Sequence, residues 1–150
     1  MTEVNRIVGQ LKAAYEGPAW HGPSVKEVLA GINAAKAASH PSNGAHSIWE
    51  LTLHIATWES AALRRLNGDP ANIPDEEDWR QSADTGEAAW EDTLGALDSG
   101  HNNLIEKISS LTDADLEKTA TGQSYNVYVL LHGVIHHNLY HAGQIAILRK

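Results

Sequence analysis

The sequence predicts an all-α bundle of four long helices, on three observations. Apolar residues recur at helical spacing in four separate stretches, no stretch alternates apolar and polar residues as a half-buried strand would, and capping signatures stand where helical stretches begin. One domain over residues 1–150 is expected, since a chain of 150 residues with 42% hydrophobic content can bury a core without covalent staples.

Val4, Ile7, Val8, Leu11, Ala14 and Tyr15 place the first helix at roughly residues 3–16, and Gly17-Pro18 ends it. Ser24 with Glu27 three residues on forms a capping box, which opens a short helix through about Ile32. Ser47 and Glu50 repeat that signature, and Ile48, Leu51, Thr52, Ile55, Glu59, Ala62 and Leu66 carry a helix of about 30 Å to Asn67-Gly68. Asp69 to Gly86 holds two prolines, an acidic run and no period, and reads as a long solvated crossover between the second and third long helices. From Glu87, the series Trp90, Leu94, Leu97, His101, Leu104, Ile108 and Leu111 steps by four and three, as in a coiled-coil seam. Thr112 to Asp115 offers caps for a short turn and Thr119 to Ser124 is a loop. The last helix is expected from about Tyr125 to Arg149, with Arg149 and Lys150 at the end that the macrodipole favours for cations.

Composition removes several function classes. With no cysteine there can be no disulfide, thiolate zinc site, iron–sulfur cluster or protein-borne thiol nucleophile. A net charge of -8 is the wrong sign for a nucleic-acid footprint, and ten acids lie from Asp69 to Asp98 with only Arg80 among them. The start lacks the apolar core of a signal peptide, and no apolar run approaches the ~20 residues that span a bilayer. A cytoplasmic protein that engages neither nucleic acid nor membrane is expected.

Nine histidines are many for this length, and four of them, His132, His136, His137 and His141, fall in one short stretch of the last helix. Direction separates them. Turning 100° per residue, His137 and His141 share the core face with Val127, Leu130, Val134, Ile145 and Leu148, whereas His132 and His136 point the opposite way. Two imidazoles four residues apart on an apolar face can share one metal ion, which offsets the desolvation of their polar atoms; the alternative is a pair of ordinary core histidines bonded to carbonyls or carboxylates. A third ligand should come from a facing helix. His54 offers itself on the flank of its stripe beside Leu51 and Trp58, and His101 is the rival, although a buried histidine paired with Asp or Glu is the plainer reading for it. His21, His40 and His46 sit in turns or at helix starts and are expected in solvent.

Ser47-Ile-Trp-Glu-Leu-Thr-Leu-His54-Ile-Ala-Thr-Trp58 and His132-Gly-Val-Ile-His-His137-Asn-Leu-Tyr-His141-Ala-Gly-Gln144-Ile resemble the two signature segments of the DinB superfamily, including its YfiT-like members. The resemblance runs in order from the Gly-Pro-Ala-Trp-His-Gly-Pro stretch at 17–23 to the carboxyl end, and the second segment is the more specific. It implies an up-down-down-up four-helix bundle, often a homodimer, in which a histidine triad holds a divalent metal. Carried over residue by residue, that triad is His54, His137 and His141. Activities in the family are diverse: some members are thiol S-transferases using bacillithiol, one related group isomerises maleylpyruvate with mycothiol, and many have no assigned reaction.

Three neutral histidines on one ion leave its double charge uncompensated and a coordination position for a guest, so zinc, nickel or iron is expected there, one per chain. Such an ion lowers the pKa of bound water toward ~7 and ionises a bound thiol more readily still. Since the chain has no thiol, transfer would use a low-molecular-mass thiol and an electrophile as partners. Metal-dependent hydrolysis is the close competitor, and a metal that merely staples the second helix to the fourth in a dimeric bundle is the non-catalytic alternative. Glu50, Trp58 and Gln144 are the candidates for orienting a ligand or touching substrate, Glu50 having its capping-box role as the plainer reading. On the far side of the last helix, Tyr128, Ile135, Leu139, Ala142 and Ala146 make a second apolar stripe beside Gly143; a four-helix monomer can cover two faces of a helix by itself, and a dimer interface is the sharper reading.

Overall fold

The computed structural model describes residues 1–150 and is all-helical, with α1 (Glu3–Tyr15), α2 (Val25–Leu29), α3 (Ala34–Ala38), α4 (Ile48–Leu66), α5 (Asp75–Asp78), α6 (Glu87–Ser109), α7 (Asp113–Leu116) and α8 (Val127–Leu148). The four long helices form the bundle: α4 packs on α6 and α8, α1 packs on α8 and α6, and α1 and α4 therefore lie across the diagonal.

Local signals account for most helix ends. Ser24 and Ser47 each accept from the N–H three residues on while Glu27 and Glu50 reach back to the cap, completing both capping boxes. The Glu27 carboxylate also approaches Gly17, where a Cβ would lie 2.7 Å from Oε2 and the backbone φ is +86°, so only glycine fits that turn. Asn126 caps α8 through the N–H of Val129.

Two expectations for the elements need correction. The helix opened by Ser24 ends at Leu29 and not near Ile32, because Gly31 turns the chain with φ +77° and Asn33 then caps the separate helix α3. The crossover is not a plain solvated loop either: it contains α5, and the residues around Asp78 and Trp79 fold back onto α4.

The core divides into two apolar clusters. One gathers α2 and α3 with Ile48, Ile55, Trp90, Leu97, Ala142 and Ile145; the other gathers α1 with Ala62, Leu104, Ile108, Leu131 and Ile135. On α4, α6 and α8 the residues between the two clusters are polar: Glu59, His101 and Asn138, each at most 1% exposed. A Glu59 Oε1 oxygen accepts from Asn138 Nδ2 at 2.7 Å and pairs with His101 Nδ1 at 3.1 Å, and the Tyr15 ring stacks on His101 with centroids 3.7 Å apart. His101 is thus a buried histidine with a carboxylate partner.

The second apolar stripe of α8 is covered within the chain, with Ile135 and Ala142 buried and Leu139 and Ala146 half-buried. Of that stripe only Tyr128 is exposed, and the other apolar side chains α8 leaves in solvent, Val129, Tyr140 and Ile147, lie on a different face. No helix is long and apolar enough to cross a membrane.

Candidate metal centre

α8 turns His137 and His141 inward one helical turn apart, and α4 presents His54 across the groove between the two helices. His54 is 6% exposed, His141 is 5% exposed and His137 is half-buried, so the flank position on α4 is a buried one. The three rings meet through the same atom: His137 Nε2 lies 3.0 Å from His54 Nε2 and 3.1 Å from His141 Nε2.

The outer nitrogens say which protonation state converges. His54 Nδ1 donates to the Asp78 carbonyl at 2.9 Å and has the Asp78 carboxylate at 3.1 Å, while His141 Nδ1 donates to Gln144 Oε1 at 2.6 Å. With Nδ1 carrying the proton, the Nε2 atoms of His54 and His141 present lone pairs to His137. A single proton on His137 can satisfy only one of those lone pairs, whereas a cation satisfies all of them. The donor set therefore fits a divalent metal, and the three histidines can hold one.

Electrostatics agrees with the geometry. Burial, followed by the proximity of His141 and His54, pushes the His137 pKa down to about 3, and burial likewise lowers that of His141. Both rings are held in the neutral form at neutral pH, the form that ligates.

The crossover completes the surroundings. Trp79 lies flat on His54, with centroids 3.8 Å apart and planes 4° apart, and His46 stacks on the indole's other face at 3.6 Å. Asp78 Oδ1 accepts from Trp58 Nε1 at 2.6 Å, so one acidic residue fixes both a histidine and the neighbouring indole. Neither Asp78 nor Trp79 stands out in the sequence. They sit in an acidic, aperiodic run, and a tryptophan directly after four consecutive acids was the available signal.

The other candidates fall in distinct places. Gln144 touches His141 directly, and Trp58 meets the edges of His54 and His137 with centroids 6.4 and 6.2 Å away. Glu50 makes no hydrogen bond to the triad. Its Oε2 accepts from the Ser47 N–H at 2.7 Å and faces His40 Nε2 at 2.9 Å, and its Oε1 accepts from Gln81. Burial alone would raise the Glu50 pKa, but these bonds outweigh it and hold the carboxyl below its usual range. His40 and His46 are exposed as expected, yet each has a partner in Glu50 or Trp79. His132 and His136 point away from the triad, His132 packing against Tyr128. His101 stays with Glu59.

No curated protein and no solved structure matches the chain. The family model of the DinB superfamily matches residues 20–145, a span that holds all three histidines together with Asp78 and Trp79. By that match the chain belongs to the DinB superfamily.

Proposed function

We propose that the protein is a metal-dependent enzyme that transfers a small thiol to an electrophile, with His54, His137 and His141 holding one zinc, nickel or iron ion. The observation that carries the reading is the convergence of three imidazole Nε2 atoms, that of His137 lying 3.0 Å from His54 and 3.1 Å from His141, beside a cavity that His137 helps to line. A divalent ion bound by three neutral ligands lowers the pKa of a thiol it binds and keeps the sulfur nucleophilic at neutral pH.

The chain's own residues then have defined tasks. Asp78 and Gln144 hold the Nδ1 tautomers, and Trp79 shields the His54 face from water. In the transfer, sulfur forms a bond to the electrophilic carbon, the leaving group departs with the bonding pair, and the thiol proton passes to solvent. The sulfur must come from a cosubstrate, because the sequence has no cysteine.

A second copy of the chain is part of the proposal. Val129, Tyr140 and Ile147 recur at helical spacing on one face of α8 and are 50%, 68% and 73% exposed, which supports a homodimer through that face. Light scattering across a dilution series should show the dimer dissociate when Tyr140 is replaced by Glu.

The activity is tested with untagged, metal-loaded protein, a small thiol such as glutathione and an aryl halide. Saturable thioether formation that stops on chelation and in the His137→Ala, His141→Ala variant is expected. Metal at one per chain with ester hydrolysis but no thioether would move the reading to a hydrolase; metal with neither activity would leave a stapled bundle.

A further inference from the structure

A cavity of about 280 Å³ opens beside the triad, with His137 among its lining residues. Its walls are apolar, formed by Trp58, Val129, Leu130 and Val134, and two polar side chains, Arg65 and Tyr125, close the list of functional groups that face it. The volume sits at the small end of ligand pockets.

Arg65 is the unusual member. Its Nε donates to the Pro70 carbonyl at 3.2 Å, Nη2 to the Ala71 carbonyl at 3.3 Å and Nη1 to the Tyr125 hydroxyl at 3.4 Å. All three acceptors are uncharged, and no carboxylate pairs with this guanidinium; Arg80 and Arg149 also lack an acid but are exposed, whereas Arg65 is half-buried. In a chain of net charge -8 a half-buried arginine without an acidic partner is not a default outcome. The side chain is also held in place: its carbon Cζ lies 5.5 Å from the Trp58 ring, and the carbonyl bonds fix the fork. Tyr125, accepting from Arg65, keeps its own O–H to donate.

We propose that this cavity is a subsite for a small organic carboxylate with an apolar body. The carboxylate pairs with Arg65 and Tyr125, and the body lies along Trp58 with its far end toward the triad. Only the role of that far end rests on the metal reading above; the carboxylate subsite stands on Arg65, Tyr125 and the apolar walls. A purely structural Arg65, clamping the Pro70-Ala71 turn, would give the cavity no preference for charge.

Calorimetric titration of hexanoate and hexanamide separates these roles. In chelator-treated protein, where a carboxylate cannot be read through a metal, hexanoate should bind at least about tenfold more tightly than hexanamide, the scale of a charge-assisted hydrogen bond. Arg65→Gln should bring the two within about twofold, and Arg65→Lys should keep part of the preference. Equal binding in the unaltered protein, or a preference that survives Arg65→Gln, overturns the proposal. Should Arg65→Gln fail to fold, Tyr125→Phe carries the test: a preference reduced about threefold supports the subsite and an unchanged one overturns it. Mercaptohexanoate tests the other end separately. Metal loading should tighten its binding relative to hexanoate, and failure of that gain alone would sink the reading of a thiol held on the metal while leaving the carboxylate subsite standing.

Discussion

Two histidine-containing clusters sit one turn apart between α4 and α8, and they resolve the burial of imidazole in opposite ways. At Glu59, His101 and Asn138 the acidic partner is internal, since a carboxylate from α4 meets a ring from α6 and an amide from α8. At His54, His137 and His141 there is no acid among the converging atoms, and the only nearby carboxylate, that of Asp78, is on the outer nitrogen of His54. The first cluster has its acid within the protein, although Glu59 Oε2, His101 Nε2 and Asn138 Oδ1 stay buried without a hydrogen bond; the second has no acid among its converging atoms, and its donor set fits a cation. Residue type alone does not tell the two clusters apart, nor does a carboxylate at Nδ1, which His54 and His101 share; what differs is that Nε2 of His54 meets other imidazoles whereas Nε2 of His101 meets no partner.

The contrast can be broken most directly by removing ligands. His137→Ala with His141→Ala should drop metal content from about one per chain to under about a tenth, by elemental analysis of untagged protein, whereas His101→Ala should leave it unchanged. If the His101 variant lost metal and the double variant kept it, the assignments would be reversed. Next in size, Glu59→Ala should destabilise the fold by about 3–5 kcal/mol in urea unfolding, since it leaves His101 and Asn138 buried without their partner. Metal stoichiometry should not move in that variant.

Asp78→Ala should weaken metal binding by about 10–100-fold in competition with a chelator, because it removes the side chain that braces His54 and Trp58. Acid tests the triad as well. The folded His137 pKa of about 3 lies below the ordinary 6.5, so the unfolded chain takes up the proton first as pH falls. Stability of the chelated protein contributed by this ring is therefore full above about pH 6.5 and is lost on descent toward about pH 3, at up to ~1.4 kcal/mol per pH unit. His137→Gln should flatten that slope in urea midpoints taken at successive pH values, and an unaltered slope would assign the effect elsewhere. The smallest change is expected for Gln144→Ala: the residue is exposed, water can replace its oxygen, and metal affinity should fall less than about tenfold.

The legible parts of this molecule were those with a period. His137 and His141 could be assigned to the core face because α8 is one uninterrupted helix, and the Ser24 and Ser47 caps were readable because their partners are three residues away. His54 was legible as a flank position, but its burial depends on Trp79, which arrives from an aperiodic segment 25 residues later. The same limit hid Asp78, the break at Gly31, and the cover over Ile135 and Ala142, all set by how non-adjacent pieces dock. His101 shows the converse: its seam position was plain, while the identity of its partner on α4 came only from the fold.

Trp79 and Asp78 touch His54 from a crossover that buries few side chains of its own, whereas His137 and His141 belong to a helix anchored in both core clusters. A segment of that kind can detach at a fraction of the free energy needed to unfold the bundle. The lifetime of a captured ion should accordingly be set by how often this short flap lifts, and ion exchange should proceed in native protein at rates unrelated to those of global denaturation.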